Sequence, residues 1–408
     1  MRIKKSDIIP LLVILLLPLT DFFTSSADEL LAIFCGIYII YSLCQEKVSK
    51  NERYLLAMIM VIVFIGLLSN VVNKIISNYF AILIDVLEFC KVFLVFIAFR
   101  IYFRNKDFRE ICKKIQDIAK TVIIISFICA VISQFTDIGM TMRHADGNIY
   151  KELGVINPFG FYSQNGIQTY YLISGCLLFI LSADNTRNEK RLYTALYLTT
   201  NVLIGVTLVQ VANVFFLSFM FYYRKNEQVK LWKILFLLLI VVAIAFPDIE
   251  EYILNQAAPR SVLLLYGIKT ANMYFPIGSG FASYGGEMAA RYYSPLYWNY
   301  GFNNRYGLSH DGYGGILNDN YVAMIVAQFG YFSLILFAVI YYRLFRMFDL
   351  KKVSVGIKPL IMSVFFTIGC SMMISANSKT LMGVWIYALL GMCSTSSFCN
   401  GRNVVETS

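Results

Sequence analysis

The sequence predicts an all-α, multi-pass membrane protein with about 12 transmembrane helices, and three observations support that expectation. Hydrophobic residues make up 58% of the 408-residue chain and charged residues only 15%, whereas soluble domains are about half apolar and about a quarter charged. The mean hydropathy is +0.64, and the apolar residues fall in runs near the ~20 residues that cross the hydrocarbon of a bilayer. Lys and Arg sit in short gaps between those runs. One water-soluble core cannot hide so much apolar surface, which excludes disordered, collagen-like, coiled-coil and disulfide-rich secreted classes.

In order, the runs cover residues 8–23, 30–44, 54–72, 79–99, 119–135, 166–181, 192–207, 208–223, 231–246, 321–342, 359–374 and 380–395. The stretch 192–223 reads as a tight hairpin turning near Gln210. With Arg2, Lys4 and Lys5 in the cytoplasm, 26 of the 35 Lys and Arg residues fall on the inner side. The outer ones are Lys74, Arg143, Lys151, Arg260, Lys269, Arg291, Arg305 and Lys379, while Lys91 lies within a span. This is the positive-inside pattern. The net charge of +10 therefore belongs to membrane flanks, and no nucleic-acid partner is expected. Both termini are expected in the cytoplasm. Residues 1–23 begin like a secretory signal, but no small-residue cleavage site follows and Asp21 and Asp28 interrupt, so they read as the first anchor. No internal repeat or linker divides the chain, and one multi-pass domain is expected over 1–408.

Two outer segments are long, 136–165 and 248–320. The second holds ten Tyr, ten Gly and Trp298, and a loop of that length is usually functional. Its aromatic rings read as faces for sugar rings or lipid headgroups, with an interfacial aromatic belt as the plainer alternative. Arg143, Arg260, Arg291 and Arg305 lie outside against the charge bias, and a guanidinium fork suits phosphate oxygens. Arg260 follows Pro259 at the start of a segment, 261–274, read as an amphipathic helix; a snorkelling anchor or a pair with Glu250 or Glu251 explains it equally well. After a sharp turn over 276–281, Asp319-Asn320 stands at the mouth of the next span. Asp319 is a candidate general base, and a plain helix cap is the commoner role for this pair.

In the first outer segment, Asn157-Pro158-Phe159-Gly160 marks a structured turn leading to Asn165 at a helix start. Within the membrane, Asp85, Glu88 and Lys91 share one helix at spacings of three. Such charges must face the bundle and pair, and Glu88 and Lys91 match at i,i+3. They read as packing polarity or as the lining of a phosphate cavity rather than a proton relay, because no matching charge is evident on other helices. The nine cysteines are scattered singly and there are only two histidines, so no metal site and no cofactor is expected.

In this order the elements resemble the lipid-linked oligosaccharide polymerases of bacterial capsule and O-antigen synthesis (the Wzy type) and, more distantly, the O-antigen ligases. The matching stretches are Gly154-Val155-Ile156-Asn157-Pro158-Phe159-Gly160 through Asn165-Gly166; Arg260, its helix and Pro276-Ile277-Gly278-Ser279-Gly280-Phe281; and Asp319-Asn320 with Gln328 and Gly330. The Arg143-to-Gly154 spacing is similar to a pattern in outer loops of some polymerases. Ligases carry His-Asn where this chain has Asp319-Asn320, which shifts the resemblance toward polymerase. Many relatives carry Ser-Arg in the turn where this chain has Gln210-Val211-Ala212-Asn213.

The resemblance implies a GT-C-like membrane fold in a bacterial cytoplasmic membrane. It also implies donor and acceptor glycans on undecaprenyl diphosphate, joined at the outer face without metal. A chain-length regulator and a flippase would be partners. It assigns Arg143 and Arg260 to the diphosphate, with Arg291 and Arg305 as helpers and Asn157 and Asn320 as further substrate contacts. Asp319 becomes the base, with His310 and Asp311 in reserve. A ligase, or an exporter of lipid-linked oligosaccharide, is the alternative.

Overall fold

The computed structural model describes residues 15, 17–18, 26–106, 108–136, 151–152, 155–156, 166–225, 239–246, 250, 255, 257–310, 316–348, 353, 356–374 and 379–395. Its helices are α1 (Ala27–Cys44), α2 (Lys50–Asn73), α3 (Tyr79–Phe103), α4 (Phe108–Ile132), α5 (Gly166–Ser182), α6 (Arg187–Ile204) and α7 (Thr207–Lys225). There follow α8 (Pro259–Met273), α9 (Glu287–Arg291), α10 (Pro295–Asn299), α11 (Tyr321–Arg346), α12 (Lys358–Ile374) and α13 (Leu381–Cys393). The described β structure is one antiparallel ladder of two-residue strands, β1 (Lys151–Glu152) and β2 (Val155–Ile156). The chain is thus all-helical in its bulk. Ala27–Cys44, Lys50–Asn73, Glu110–Ile132 and Tyr321–Arg346 are long and apolar enough to cross a membrane, and several shorter helices are equally apolar. Phe34, Ile40, Phe64, Phe332 and Ile335 are exposed on α1, α2 and α11, an arrangement that suits lipid and not water. This is a helical membrane protein.

Local chemistry explains the helix starts. Ser49 and Thr186 form capping boxes with Glu52 and Glu189, satisfying amides that the first turn leaves without partners. Gly205, in the left-handed region at φ +75°, ends α6, as helix-terminating glycines do. The hairpin therefore turns at 205–206 and not at Gln210. Gln210 lies in the next helix, and its Nε2 donates to the Asn201 carbonyl at 2.8 Å, closing a carbonyl the turn leaves open.

The helix directions follow from contacts at their ends. At one end, buried Glu52 pairs with Arg100 and Arg104 at the end of α3, and Arg100 also donates to the carbonyls of Met347 and Ser394 beyond α11 and α13. At the other end, Asp28 in the first turn of α1 meets Lys91 at the middle of α3. So α1, α3, α11 and α13 run together and α2 runs against them. The first end carries the basic gaps; Lys113–Asp184 and Lys120–Glu189 pair there as well. The second end carries the long segment before α11.

That segment has a core of its own. Val262 and Leu263 of α8, Tyr284, Tyr293, Leu296, Tyr297, Tyr300 and Phe302 pack with Ala323 and Ala327 of α11. Four of its tyrosines are consequently buried, neither sugar-facing nor part of an interfacial belt. Their hydroxyls are satisfied locally: Tyr284 donates to the Leu263 carbonyl at 2.7 Å, Tyr293 to the Leu308 carbonyl at 3.0 Å. The expected amphipathic α8 is instead apolar on both sides, with Leu265, Ile268 and Met273 exposed opposite the buried face.

Candidate functional site

The irregular stretch 276–286 inserts between α2, α3 and α11, and side chains hold its backbone. Asn70 brackets Phe281, donating to its carbonyl at 2.9 Å and accepting its N–H at 2.8 Å. Ser69 and Asn73 donate to the Gly278 carbonyl. The Ala282 N–H donates to Asp85 Oδ2 at 2.7 Å. Ser279 and Gly280 donate to the carbonyls of Ala327 and Gln328. Irregular backbone packed among helices needs partners such as these for its polar groups. Gly278 (φ +76°) passes so close to α11 that a Cβ would stand 2.5 Å from the Gln328 backbone. Gly330 on α11 (φ +76°) is equally obligatory, facing the Pro276 carbonyl.

Beside this stretch lies a cavity of about 490 Å³ lined by Asp28 and Glu29 of α1, Glu88 and Lys91 of α3, Glu287 and Arg291 of α9, Asn318, and Lys379 before α13. Its size suits a small-molecule group. Lys91, only 3% exposed, sits 2.6 Å from Asp28 Oδ2, 2.8 Å from Glu88 Oε1 and 3.6 Å from Glu29 Oε1. The Glu88–Lys91 pairing expected from the sequence is present. Matching charges do exist on other elements, contrary to expectation: they are Asp28 and Glu29 of α1, and Lys379. Glu287 and Arg291 make no ion pair among the described residues. Burial holds the Glu287 carboxyl above its usual range and nearby Glu88 adds to this, while Lys91, Lys379 and Arg291 oppose it.

Of the outer-segment residues singled out from sequence, Arg291 lines this cavity, and so do Glu88 and Lys91 of α3, which the sequence offered as packing polarity or cavity lining. Arg260 and Asp319 come together in an ion pair, Nη2 to Oδ2 at 3.0 Å, both half-buried. Glu250 and Glu251 are not needed to explain Arg260. The Asp319 carboxyl is held above its usual range by burial, against the opposing pull of Arg260. The guanidinium occupies Oδ2 of Asp319, so the carboxylate is anchored to Arg260 at the mouth of α11. The pair adjoins the cavity through Asn318, one residue upstream of Asp319.

Asn320 is the helix cap: its Oδ1 accepts from the Ala323 N–H at 2.9 Å. Arg305 is exposed over the Tyr266 ring, 5.5 Å from its centroid, away from the cavity. His310 packs with Tyr293 and Trp298 at ring-centroid distances of 5.1 and 5.7 Å, also apart from it. Arg143, Asn157 and Asp311 lie outside the described residues, as do most of the segment 136–165 and both chain ends. No group of His, Cys, Asp and Glu among the described residues has the arrangement of a metal site.

No known family model, curated protein or solved structure matches this chain.

Sequence reasoning missed Lys379, Glu287, Asp28 and Glu29. A signal was present for Lys379, a basic residue on the outer side against the charge bias. Nothing local in the sequence brings it to Lys91.

Proposed function

We propose that the chain polymerises undecaprenyl-diphosphate-linked oligosaccharide repeat units at the outer face of a bacterial cytoplasmic membrane, with about 12 spans and both termini inside. The observation that carries this reading is a charged cavity walled by apolar helices and bordered by a folded segment held into the bundle. A lipid-linked glycan needs such a place, where an apolar carrier and a polar diphosphate sugar reach one site. The basic end formed by Arg100, Arg104 and the gap lysines favours a cytoplasmic position for that end, and hence an outer position for the cavity.

In this reading Arg291 contacts the diphosphate, and the Arg260–Asp319 pair borders the entrance beside Asn318. Fixed cations that meet developing charge are the strongest catalytic element such a transfer can use. Membrane lipids, a flippase and a chain-length regulator are the expected partners.

The test is accumulation. Deleting the gene should leave single repeat units on lipid at the outer face. Arg291→Ala, at normal protein level, should slow chain growth about 100-fold or more, as loss of one electrostatic donor does elsewhere. Unchanged polymer length in the deletion overturns the reading. A second reading, an exporter of lipid-linked oligosaccharide, is favoured by one observation: the Asp28–Lys91–Glu88 cluster sits between helices, where a carrier needs charge. In that case the deletion traps repeat units on the cytoplasmic face.

A further inference from the structure

Lys379 differs from every other charged group in the cavity. The residue is 8% exposed, yet it forms no ion pair among the described residues. Its Nζ lies 3.1 Å from Met324 Sδ and 4.4 Å from the centroid of the Tyr321 ring. Both partners come from the first turn of α11. A thioether is a weak acceptor and a ring face only a modest counter-charge, so the shell around Nζ compensates an ammonium poorly. Lys91, in the same cavity, is held by three carboxylates. Two lysines of one site are thus built oppositely, one among three carboxylates and one against a thioether and a ring face.

The groups facing Lys379 are Asp85, Glu88 and Lys91 of α3 and Glu287 and Arg291 of α9, with Asp28 and Glu29 of α1 beyond Lys91. Burial pulls the Lys379 amine below the ordinary lysine range; Asp85 and Glu88 oppose this, Lys91 reinforces it, and Glu287 opposes it. In its unprotonated form, an amine lining a cavity carries a lone pair that can take a proton.

We propose that Lys379 is a catalytic residue whose amine accepts the proton of the acceptor-sugar hydroxyl. This rests on the glycosyl-transfer reading. The hydroxyl oxygen bonds to the anomeric carbon of the donor as the bond from that carbon to the phosphate oxygen breaks. The electron pair leaves with the lipid diphosphate, and the hydroxyl proton passes to Nζ. The resulting ammonium is formed close to Asp85 and Glu88, which stabilise it.

Two measurements test this. The first is trace acetylation of the full-length protein in detergent with acetic anhydride across a pH series, read by mass spectrometry. Lys379 should reach its labelling plateau at lower pH than exposed Lys269; a profile at the same or higher pH overturns the proposal, whatever the variants do. The second compares Lys379→Arg with Lys379→Gln at matched protein level. Both should slow chain growth at least 100-fold, in the range of lost proton-transfer catalysis, because Arg restores charge but cannot accept a proton. Chain growth near wild type in Lys379→Arg makes the residue a cation contact and refutes the base role. If deleting the gene leaves polymer length unchanged, the glycosyl-transfer reading falls and the catalytic role with it. The labelling profile judges Lys379 independently of that outcome.

Discussion

Two clusters of buried charge occupy opposite ends of the same helices. At the basic end, Glu52 is met by Arg100 and Arg104, and its Oε2 also accepts the Ser49 N–H at 2.8 Å. Arg100 Nη1 donates to the carbonyls just past α11 and α13. At the cavity end, Lys91 is matched in the same thorough way, but Lys379, Glu287 and Arg291 are not. Buried charge with every partner in place is scaffolding, since opening it costs far more than it returns. Charge left without an ionic partner beside open volume, buried on Lys379 and exposed on Glu287 and Arg291, is available to a ligand.

Substitutions can break this contrast. Glu52→Ala removes the counter-charge of two arginines and should destabilise the protein by about 3–5 kcal/mol, as loss of one partner of a buried pair does; unfolding in a graded detergent series measures it. Asn70→Ala removes both hydrogen bonds that hold Phe281 and should cost about 1–3 kcal/mol for each group left unpaired, with protease cleavage rising within 276–286. Arg305→Ala loses an exposed cation–π contact and a long hydrogen bond, both to Tyr266, and should cost about 0.5–1 kcal/mol. Lys379→Met replaces a poorly compensated amine with an apolar chain of similar length, so stability should be unchanged or slightly raised, while chain growth is lost. A loss of stability in Lys379→Met comparable to that of Glu52→Ala would erase the distinction between the two ends.

Much of the helical framework is legible in the sequence because a hydrophobic run is a local property. The run 30–44 becomes Ala27–Cys44, and 321–342 becomes Tyr321–Arg346. The hairpin position was misjudged from hydropathy alone, although Gly205 supplied the stronger local signal. The buried tyrosines were misjudged for a different reason: composition records how many aromatic residues a segment has, but not whether they face one another. The site was least legible. Asp28 and Lys91 are 63 positions apart, and Lys379 is farther still. Only helix packing brings them together, and no periodicity in any one helix encodes it. Arg260 and Asp319 were each picked out, but their mutual pairing, which alters the role of both, is again a tertiary fact.

The shared direction of α1, α11 and α13 has an electrical consequence. All three begin at the cavity, at Ala27, Tyr321 and Leu381, and a helix start carries about half an elementary positive charge from its aligned peptide dipoles. The side chains around the cavity number four acids, Asp28, Glu29, Glu88 and Glu287, against two fixed cations, Lys91 and Arg291, with Lys379 in the role of an amine. By that tally alone the space would repel an anion. Three helix starts offset most of that excess, so the field in this pocket is set as much by where helices begin as by the side chains that line it.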